Sequence, residues 1–283
     1  MDSKAKDLTK VSFAIAVMYA VFWAYSFLIG RHLPISDNLK NMMSLLVLYV
    51  IGLSLFVFIT KDMADNKLPK EKLPFKSLLN CFFLQFSALV VSMLAIALSM
   101  LISKENIAES NNLSFFRLLS LLVIAPVLEE LVFRYFMARK LNKYGSALFV
   151  LLSAFCFCIV HGVSAGIPTM IYTFLLGLLW AYLMIKTGNV LIPIIYHSLS
   201  NLFGGIIPQI LLGYAEQFFS LYIILIIVFA IAGVILLIIN RKDYALDDRI
   251  FSRNNLKTVF SSKGVLFLML VTITFMIIKQ LML

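Results

Sequence analysis

Two adjacent carboxylates and an arginine stand within an apolar run of the chain, Leu121 to Phe136, LLVIAPVLEELVFRYF. The carboxylates are Glu129 and Glu130, and the arginine is Arg134. A charged group at membrane depth costs about 2.5–3.5 kcal/mol even on lenient insertion scales, so such groups persist mainly where they face a protein interior or a wet cavity. Charges this closely spaced in an apolar run therefore indicate a functional site.

Helix geometry divides these charges into two groups. Successive residues of an α-helix are about 100° apart, so Glu130 and Arg134 lie on one face as i,i+4 neighbours and can pair. Glu129 then points away from that face. We expect Arg134 to hold Glu130 in position and to leave Glu129 free for chemistry. The alternative is a purely structural ion pair with a spare carboxylate, and the cost of an unpaired carboxylate in a membrane weighs against it.

Two of the three histidines of the chain also fall in predicted membrane helices. His161 ends a short span, and His197 precedes Asn201 by four residues, which places both on one helix face. Either histidine alone would more often be a packing residue than a catalyst. Together with the carboxylates, however, they indicate a catalytic set. His32, beside Arg31 at a helix end, is interpreted as an interfacial residue.

The chain that must position these residues has the composition of a polytopic membrane protein. Of its 283 residues 62% are hydrophobic, and the mean hydropathy is +0.99, whereas soluble proteins contain roughly 45–50% apolar residues. With about 20 apolar residues per span, the sequence predicts an all-α membrane helix bundle of about eight or nine transmembrane helices. We expect a single transmembrane domain over residues 1–283, with its catalytic core at about 114–213. The predicted spans are 11–30, 41–60, 78–102, 114–137, 146–162, 167–186, 190–212, 217–240 and 264–282.

The basic residues predict the orientation of the chain and exclude a nucleic-acid partner. The net charge is +10, but the 24 Lys and Arg lie mostly between apolar runs and form no continuous basic face. Alternate loops carry 18 of them on one side and 3 on the other, with Lys104 on the poorer side. The positive-inside rule therefore predicts a multi-pass cell-membrane protein with a cytoplasmic N-terminus. The first helix is too long for a signal-peptide core, so we expect it to remain uncleaved.

Several other catalytic classes fit the sequence poorly. The three cysteines lie inside apolar segments and lack the spacing of a metal cluster or a disulfide framework. No Asp lies in a predicted span, which argues against an aspartyl protease. Residues 162–166 match the Gly-x-Ser-x-Gly pattern, but the strand–turn–helix setting that gives this pattern its meaning is missing. We interpret this segment as a flexible turn after His161.

Three short motifs follow one another along the chain: Glu-Glu-x-x-x-Arg at 129–134, Phe-x-x-x-His at 157–161 and His-x-x-x-Asn at 197–201. In this order, on successive membrane helices, they resemble the CAAX-protease and bacteriocin-processing family of intramembrane proteases, also called CPBP or Abi. The resemblance covers roughly residues 114–213, including the approach to the third motif from Lys186 through Pro193. It implies an intramembrane endopeptidase that acts on a membrane-embedded or lipidated peptide or protein.

The resemblance also implies a role for each motif residue. Glu129 would be the general base, and His161 would bind and polarise the attacking water. His197 and Asn201 would stabilise the oxyanion, and the ion pair would keep the fourth helix oriented. These roles agree with what hydrolysis of a peptide bond requires, namely a water, a base and donors for the oxyanion.

A metal-dependent mechanism is the alternative for the same residues. Two His and one Glu form a known catalytic zinc set, so Glu129, His161 and His197 could hold zinc. No His-Glu-x-x-His helix is present in the sequence, however. We favour a glutamate-type hydrolysis without a cofactor.

Two other function classes stay open. A non-proteolytic protein of the same fold, such as a bacteriocin self-immunity factor or a membrane scaffold, would be marked by the loss of a motif residue, and none is lost. A proton-coupled transporter would also use intramembrane Glu and His, but no inverted repeat is evident. Within the family, eukaryotic members trim prenylated C-termini and many bacterial members are tied to pheromones, bacteriocins or immunity. The short, basic chain favours the bacterial group.

The depths of the predicted site residues pose one difficulty. At about 1.5 Å per residue, Glu129 and His197 lie about 10 Å from the cytoplasmic ends of their predicted helices, and His161 lies nearer to about 20 Å from the cytoplasmic end of its own. The fifth helix must therefore be tilted or sunken for the site to assemble.

Overall fold

A computed structural model describes residues 3–103 and 113–282. Over these residues the chain is helical without β-strands, and eight of its helices are long and apolar enough to cross a membrane. The predicted all-α membrane bundle of about eight or nine helices is thereby confirmed. Lys104, which the charge pattern assigned to a loop, lies outside the described residues.

Ten helices make up the described part of the chain. They are α1 (Ser3–Leu28), α2 (Asp37–Thr60), α3 (Phe75–Ser103), α4 (residues 115–141), α5 (Ser146–Ser164), α6 (Gly166–Thr187), α7 (Leu191–Tyr214), α8 (Phe219–Ile239), α9 (Arg253–Phe260) and α10 (Lys263–Leu281). The eight candidate spans are all of these except α4 and α9. Helix α4 is long enough to cross a membrane, but it carries the charged residues Glu129, Glu130 and Arg134 in its middle and is too polar to count among the candidate spans.

Helix α5 lies at the centre of the bundle, with 83% of its most apolar stretch buried. It packs against α4 and α6, while α1 packs against α2 and α10, and α3 packs against α8. The close approach of α5 and α6 requires a glycine, because a Cβ at Gly177 would lie 2.9 Å from the Cα of Ala154. The helices that carry the three motifs are therefore held together by the most buried span.

Helices α5 and α6 lie against each other as antiparallel neighbours, and the backbone reverses between them at a single residue. Gly166 has φ 76° and ψ −171°, a conformation that other residues rarely adopt. The preceding residues of the Gly-x-Ser-x-Gly pattern are helical, so the predicted flexible turn is confined to Gly166. The ammonium of Lys279 donates to the carbonyl oxygens of Val163 (3.0 Å) and Ser164 (2.8 Å). These bonds satisfy carbonyls that the break leaves without helical partners.

Helix α4 ends at Leu141, four residues beyond the predicted end. Arg139 and Lys140, which the sequence placed in a loop, lie in its last turn, where cations complement the helix dipole. Both pair with Asp65 at 2.8 Å. The hydrogen bond from Lys140 lowers the pKa of the Asp65 carboxyl below its ordinary value.

The segments 61–74, 142–145, 188–190 and 240–262, the last of which includes α9, gather at the end of the bundle where α1 begins, which we call the basic end. Asp247, from the loop between α8 and α9, accepts hydrogen bonds from the backbone N–H groups of Ser146 (2.9 Å) and Ala147 (2.8 Å). It thereby caps the N-terminus of α5, because the residue before α5, Gly145, has no side chain to do so.

Candidate active site

The structure brings the predicted base and both predicted histidines together from three helices. The Oε2 atom of Glu129 on α4 lies 3.9 Å from the Nε2 atom of His161 on α5 and 3.8 Å from the Nε2 atom of His197 on α7. This oxygen is buried and makes no hydrogen bond within the described part of the chain. Its lone pairs are therefore available to a substrate water.

The neighbouring carboxylate, Glu130, is engaged on both oxygens. Its Oε2 atom forms an ion pair with the Nε atom of Arg134 at 3.2 Å, and both side chains are fully buried. The predicted pairing thus forms. Its Oε1 atom lies 3.0 Å from the Nδ1 atom of His197, a contact that the sequence did not indicate. Glu130 therefore links the ion pair of α4 to the histidine of α7.

Aromatic rings surround the guanidinium of Arg134. Its nitrogen atoms make no hydrogen bonds among the described residues, and its central carbon lies 4.3 Å from the ring centroid of Phe157 and 5.4 Å from that of Trp180. Attraction to the ring faces compensates part of the lost hydration of the cation. These contacts explain the phenylalanine of the Phe-x-x-x-His motif, whose ring faces Arg134.

A hydrogen bond sets the tautomer of His161. Its Nδ1 atom lies 2.7 Å from the carbonyl oxygen of Phe157, and since a carbonyl can only accept, Nδ1 must carry the proton. In the neutral ring, Nε2 is then the lone-pair atom, and it is the atom nearest to Glu129. His161 is also the more exposed of the two histidines, at 23% of its side chain against 6% for His197.

Asn201 lies one turn beyond His197, as predicted, but its contact in the structure is with the backbone of α4. Its amide nitrogen donates to the carbonyl oxygen of Leu121 at 2.8 Å. The hydroxyl of Ser198 donates to the next carbonyl, that of Leu122, at 2.7 Å. These two bonds fix α7 against α4. One N–H of the Asn201 amide stays available for a substrate oxygen.

Wide helical turns lie beside the site residues. Helix α4 contains π-helical turns at Ser120–Ile124 and Leu131–Phe136, on either side of the two glutamates. A third, Leu202–Ile206, directly follows Asn201, and a fourth lies in α2 at Val47–Gly52. Such turns are frequent at functional sites, since the extra residue redirects side chains and alters backbone pairing. Leu121 and Leu122, whose carbonyls bind α7, belong to the first of these turns.

The fourth π-turn carries a residue that sequence reasoning missed. The hydroxyl of Tyr49 lies within reach of the Glu129 carboxylate as a donor. About two turns further along each helix, α2 packs on α4, with the ring centroids of Phe56 and Phe136 6.3 Å apart. The only signal in the sequence was a tyrosine in the middle of an aliphatic span. Nothing distinguishes it there from the other tyrosines of the chain.

The expected difference in depth between Glu129 and His161 is resolved mainly by the true end of α4. Because α4 continues to Leu141, Glu129 lies twelve residues from that end, about 18 Å along the helix. His161 lies fifteen residues from the start of α5 at Ser146, about 22 Å. The two depths are therefore similar, and the larger mismatch came from ending α4 too early.

The donor atoms of the site suit zinc in type but are widely spaced. Ligand atoms bound to one zinc ion at about 2.0–2.2 Å would lie closer together than the 3.8 and 3.9 Å that separate Glu129 from the two imidazoles. Among the described residues no group of three or more His, Cys, Asp or Glu is placed to hold a metal ion. In this arrangement the spacing of the donor atoms is wider than that of zinc ligands, and we derive no step through a metal.

Comparison with known proteins gives one match, which falls on the motif region. Residues 111–203 match the family model described as type II CAAX prenyl endopeptidase Rce1-like. No curated protein and no solved structure matches the chain. The matched segment contains all three motifs, helix α5 and the part of α7 up to Phe203, which confirms the resemblance drawn from the motifs. Over about a third of its length, the chain is therefore similar to the CAAX-type membrane endopeptidases.

Proposed function

We propose that this protein is an intramembrane endopeptidase that hydrolyses a peptide bond of a membrane-embedded or lipidated substrate, with a water activated by Glu129 and His161 and without a metal cofactor. The observation that carries the proposal is the difference between the adjacent carboxylates. Oε2 of Glu129 makes no hydrogen bond in the described part of the chain and lies near two imidazole nitrogens, whereas Glu130 is fully buried and paired with Arg134. One carboxylate is left for chemistry and the other is used for structure.

The distance between the two acceptors suits one water molecule. Oε2 of Glu129 and Nε2 of His161 are 3.9 Å apart, so a water oxygen about 2.8 Å from each can donate one hydrogen to each acceptor. Glu129 takes a proton as the water oxygen attacks the substrate carbonyl carbon. The tetrahedral intermediate collapses with cleavage of the C–N bond, and Glu129 returns the proton to the departing nitrogen.

His197 and Asn201 are the proposed donors to the oxyanion of this intermediate. Because Nδ1–H of His197 is bound to Glu130, the ring can donate from Nε2 only when both nitrogens carry a proton. The carboxylate of Glu130 stabilises that imidazolium. Asn201 adds a neutral amide N–H from the next turn of α7, the type of donor that oxyanion holes employ.

Tyr49 has a proposed supporting role at the base. Its hydroxyl occupies one side of the Glu129 carboxylate, which restrains rotation of the group and keeps Oε2 directed toward the histidines. Because phenol is a neutral donor, the bond orients the carboxylate without transferring a proton to it at neutral pH.

The proposal is tested with the full chain in lipid nanodiscs and three probe peptides. The probes are a farnesylated peptide with a Cys-aliphatic-aliphatic-X terminus, its unfarnesylated counterpart and a bacteriocin leader peptide, with products identified by mass spectrometry. We expect Glu129→Gln to lower cleavage at least about 100-fold, because a general base contributes about 10²–10⁴-fold. The matched control is Glu216→Gln, which changes an exposed glutamate at the start of the last turn before α8 and should leave cleavage unchanged.

Each outcome of this assay decides between the function classes. Cleavage that persists in Glu129→Gln refutes Glu129 as the base. Cleavage of the farnesylated peptide alone supports a prenyl-directed substrate, and cleavage of the leader peptide supports bacteriocin or pheromone processing. If the wild-type chain cleaves none of the probes yet confers bacteriocin immunity on a sensitive bacterium, a non-proteolytic immunity or scaffold role replaces the proposal.

We also propose that the basic end faces the cytoplasm of a bacterial cell, on the strength of the asymmetric distribution of Lys and Arg. Reporter fusions at the loop 240–262 should then be active only for a cytoplasmic reporter. Activity of a reporter that requires export, fused at the same loop, would reverse the orientation.

A further inference from the structure

The indole ring of Trp180 lies flat against the imidazole of His197. The ring centroids are 4.3 Å apart and the planes are inclined by 20°. Trp180 and His197 are 1% and 5% exposed, respectively, so the stack is sealed from solvent and lipid. The imidazole is also held by the hydrogen bond from Nδ1 to Glu130 and by an edge-to-face contact with Phe157, whose ring centroid lies 5.9 Å away.

A polar residue of another helix fixes the indole ring in turn. The Nε1 atom of Trp180 donates to the Oε1 atom of Gln85 on α3 at 3.1 Å. An indole N–H can only donate, so the oxygen of the Gln85 amide must face it. Gln85 is 4% exposed and lies outside the segment 111–203 that matches the endopeptidase family. A buried amide is costly unless it is hydrogen-bonded, and this bond accounts for its presence inside a membrane helix.

These contacts form a chain that ends at the catalytic site. A single hydrogen bond at Nδ1 lets the imidazole swing about the bond axis, whereas a ring stacked on one face fixes its plane. The plane decides where Nε2 points, and Nε2 lies 3.8 Å from Oε2 of Glu129. Misplacing a reacting group by about 1 Å can cost about 100-fold in rate.

We propose that Gln85 and Trp180 are positioning residues for the proteolytic reaction: Gln85 fixes the indole of Trp180, and Trp180 fixes the plane of His197. The inference rests on the proposed function of the site and extends it to α3. It predicts that residues 111–203, the segment that matches the family, do not by themselves fix the orientation of the imidazole of His197.

A double-mutant cycle in the full chain tests this order of action. Gln85→Leu and Trp180→Phe should each lower kcat for the cleaved probe peptide about ten-fold, with KM unchanged within about two-fold. The double variant should be no slower than Trp180→Phe alone, because Gln85 acts only through the indole N–H. The matched control is Trp23→Phe, since Trp23 is the other tryptophan of the chain, is likewise buried, and packs on Tyr19 and Phe275 rather than on His197.

A spectroscopic measurement separates failure of this inference from failure of the proposed function. In a Trp23→Phe background, Trp180 is the only tryptophan, and loss of its hydrogen-bond acceptor in Gln85→Leu should shift its fluorescence emission to shorter wavelength. Replacement of His197 by Ala should raise the emission intensity, because a stacked imidazole quenches indole fluorescence. If the wild-type chain cleaves no probe but both spectral changes occur, the proteolytic function fails and the contact chain stands.

Three results would overturn the inference. An unchanged emission spectrum in both variants would show that the contacts do not exist in the membrane. Additive losses in the double variant would show that Gln85 does not act through Trp180. A rise in KM at constant kcat would assign both residues to substrate binding.

Discussion

Breaking the buried ion pair of α4 is expected to cost far more stability than breaking an exposed pair of similar spacing. In Arg134→Met, the fully buried carboxylate of Glu130 loses its cation and keeps only the contact with His197. Removing one partner of a buried pair costs about 3–5 kcal/mol, because an uncompensated charge stays in a low-dielectric interior. The exposed i,i+3 pair of Asp37 and Lys40, with side chains 94% and 28% exposed, is the control, and Lys40→Met should cost less than about 1 kcal/mol.

The same reasoning predicts that a second substitution rescues the first. In the double variant Glu130→Gln with Arg134→Met neither charge of the pair is left, and the Gln oxygen can still accept from Nδ1 of His197. Its free energy of unfolding should therefore lie above that of Arg134→Met, measured by denaturant titration in mixed micelles. If Arg134→Met were no less stable than Lys40→Met, or if the double variant were less stable than both single variants, the buried pair would not be the coupled element described.

Three further predictions concern the base, the cofactor and the basic end. Tyr49→Phe should slow cleavage about ten-fold or more, since a hydrogen bond to a charged group is worth about 1.5–3 kcal/mol. The control variant Tyr25→Phe removes a buried hydroxyl that lacks a partner in the described residues and should leave the rate unchanged. Equal rates for both variants would contradict the role of Tyr49. Wild-type cleavage should be unchanged by EDTA and by 1,10-phenanthroline, and loss of activity that zinc restores would replace the glutamate-type mechanism. Asp247→Ala should lower the free energy of unfolding by about 0.5–2 kcal/mol at neutral pH through loss of the cap on α5. Burial opposes ionisation of Asp247, but hydrogen bonds from Ser146 and Ala147 outweigh this effect and lower the pKa of its carboxyl. The stability difference between wild type and Asp247→Ala should therefore shrink as the pH falls below about 4, where the carboxyl becomes protonated first in the unfolded chain and then in the folded chain. A stability difference independent of pH would exclude the carboxylate as the cap.

The residues that meet at the candidate site could be predicted from the sequence because they are unusual in apolar segments. Glu129 and Glu130 are charged groups in a run that otherwise suits lipid, and His161 and His197 are rare residues in similar runs. The spacing of Glu129, Glu130 and Arg134 within one helix was enough to predict which carboxylate is paired with the arginine and which is not. Such signals need no knowledge of how helices pack, since the cost of burial acts on each residue separately.

The residues that support the site could not be predicted, because their roles arise only where helices meet. Tyr49 and Gln85 are ordinary components of apolar spans, and no local pattern directs them at Glu129 or Trp180. The end of α4 was misjudged for a different reason. Arg139 and Lys140 were assigned to a loop by their charge, whereas they end the helix and pair with Asp65.

The π-turns have a consequence for how sequences of this architecture can be compared. Each such turn holds one residue more than an α-helical turn, so a chain that loses one residue at 131–136 can close the turn to α-helical geometry while the side chains beyond it keep their faces. Deletion of one residue from a regular α-helical turn would instead rotate all later side chains of the helix by about 100°. Alignment gaps of one residue in the middle of a membrane span are therefore structurally meaningful in this protein, and a comparison that forbids them would misplace its motif residues.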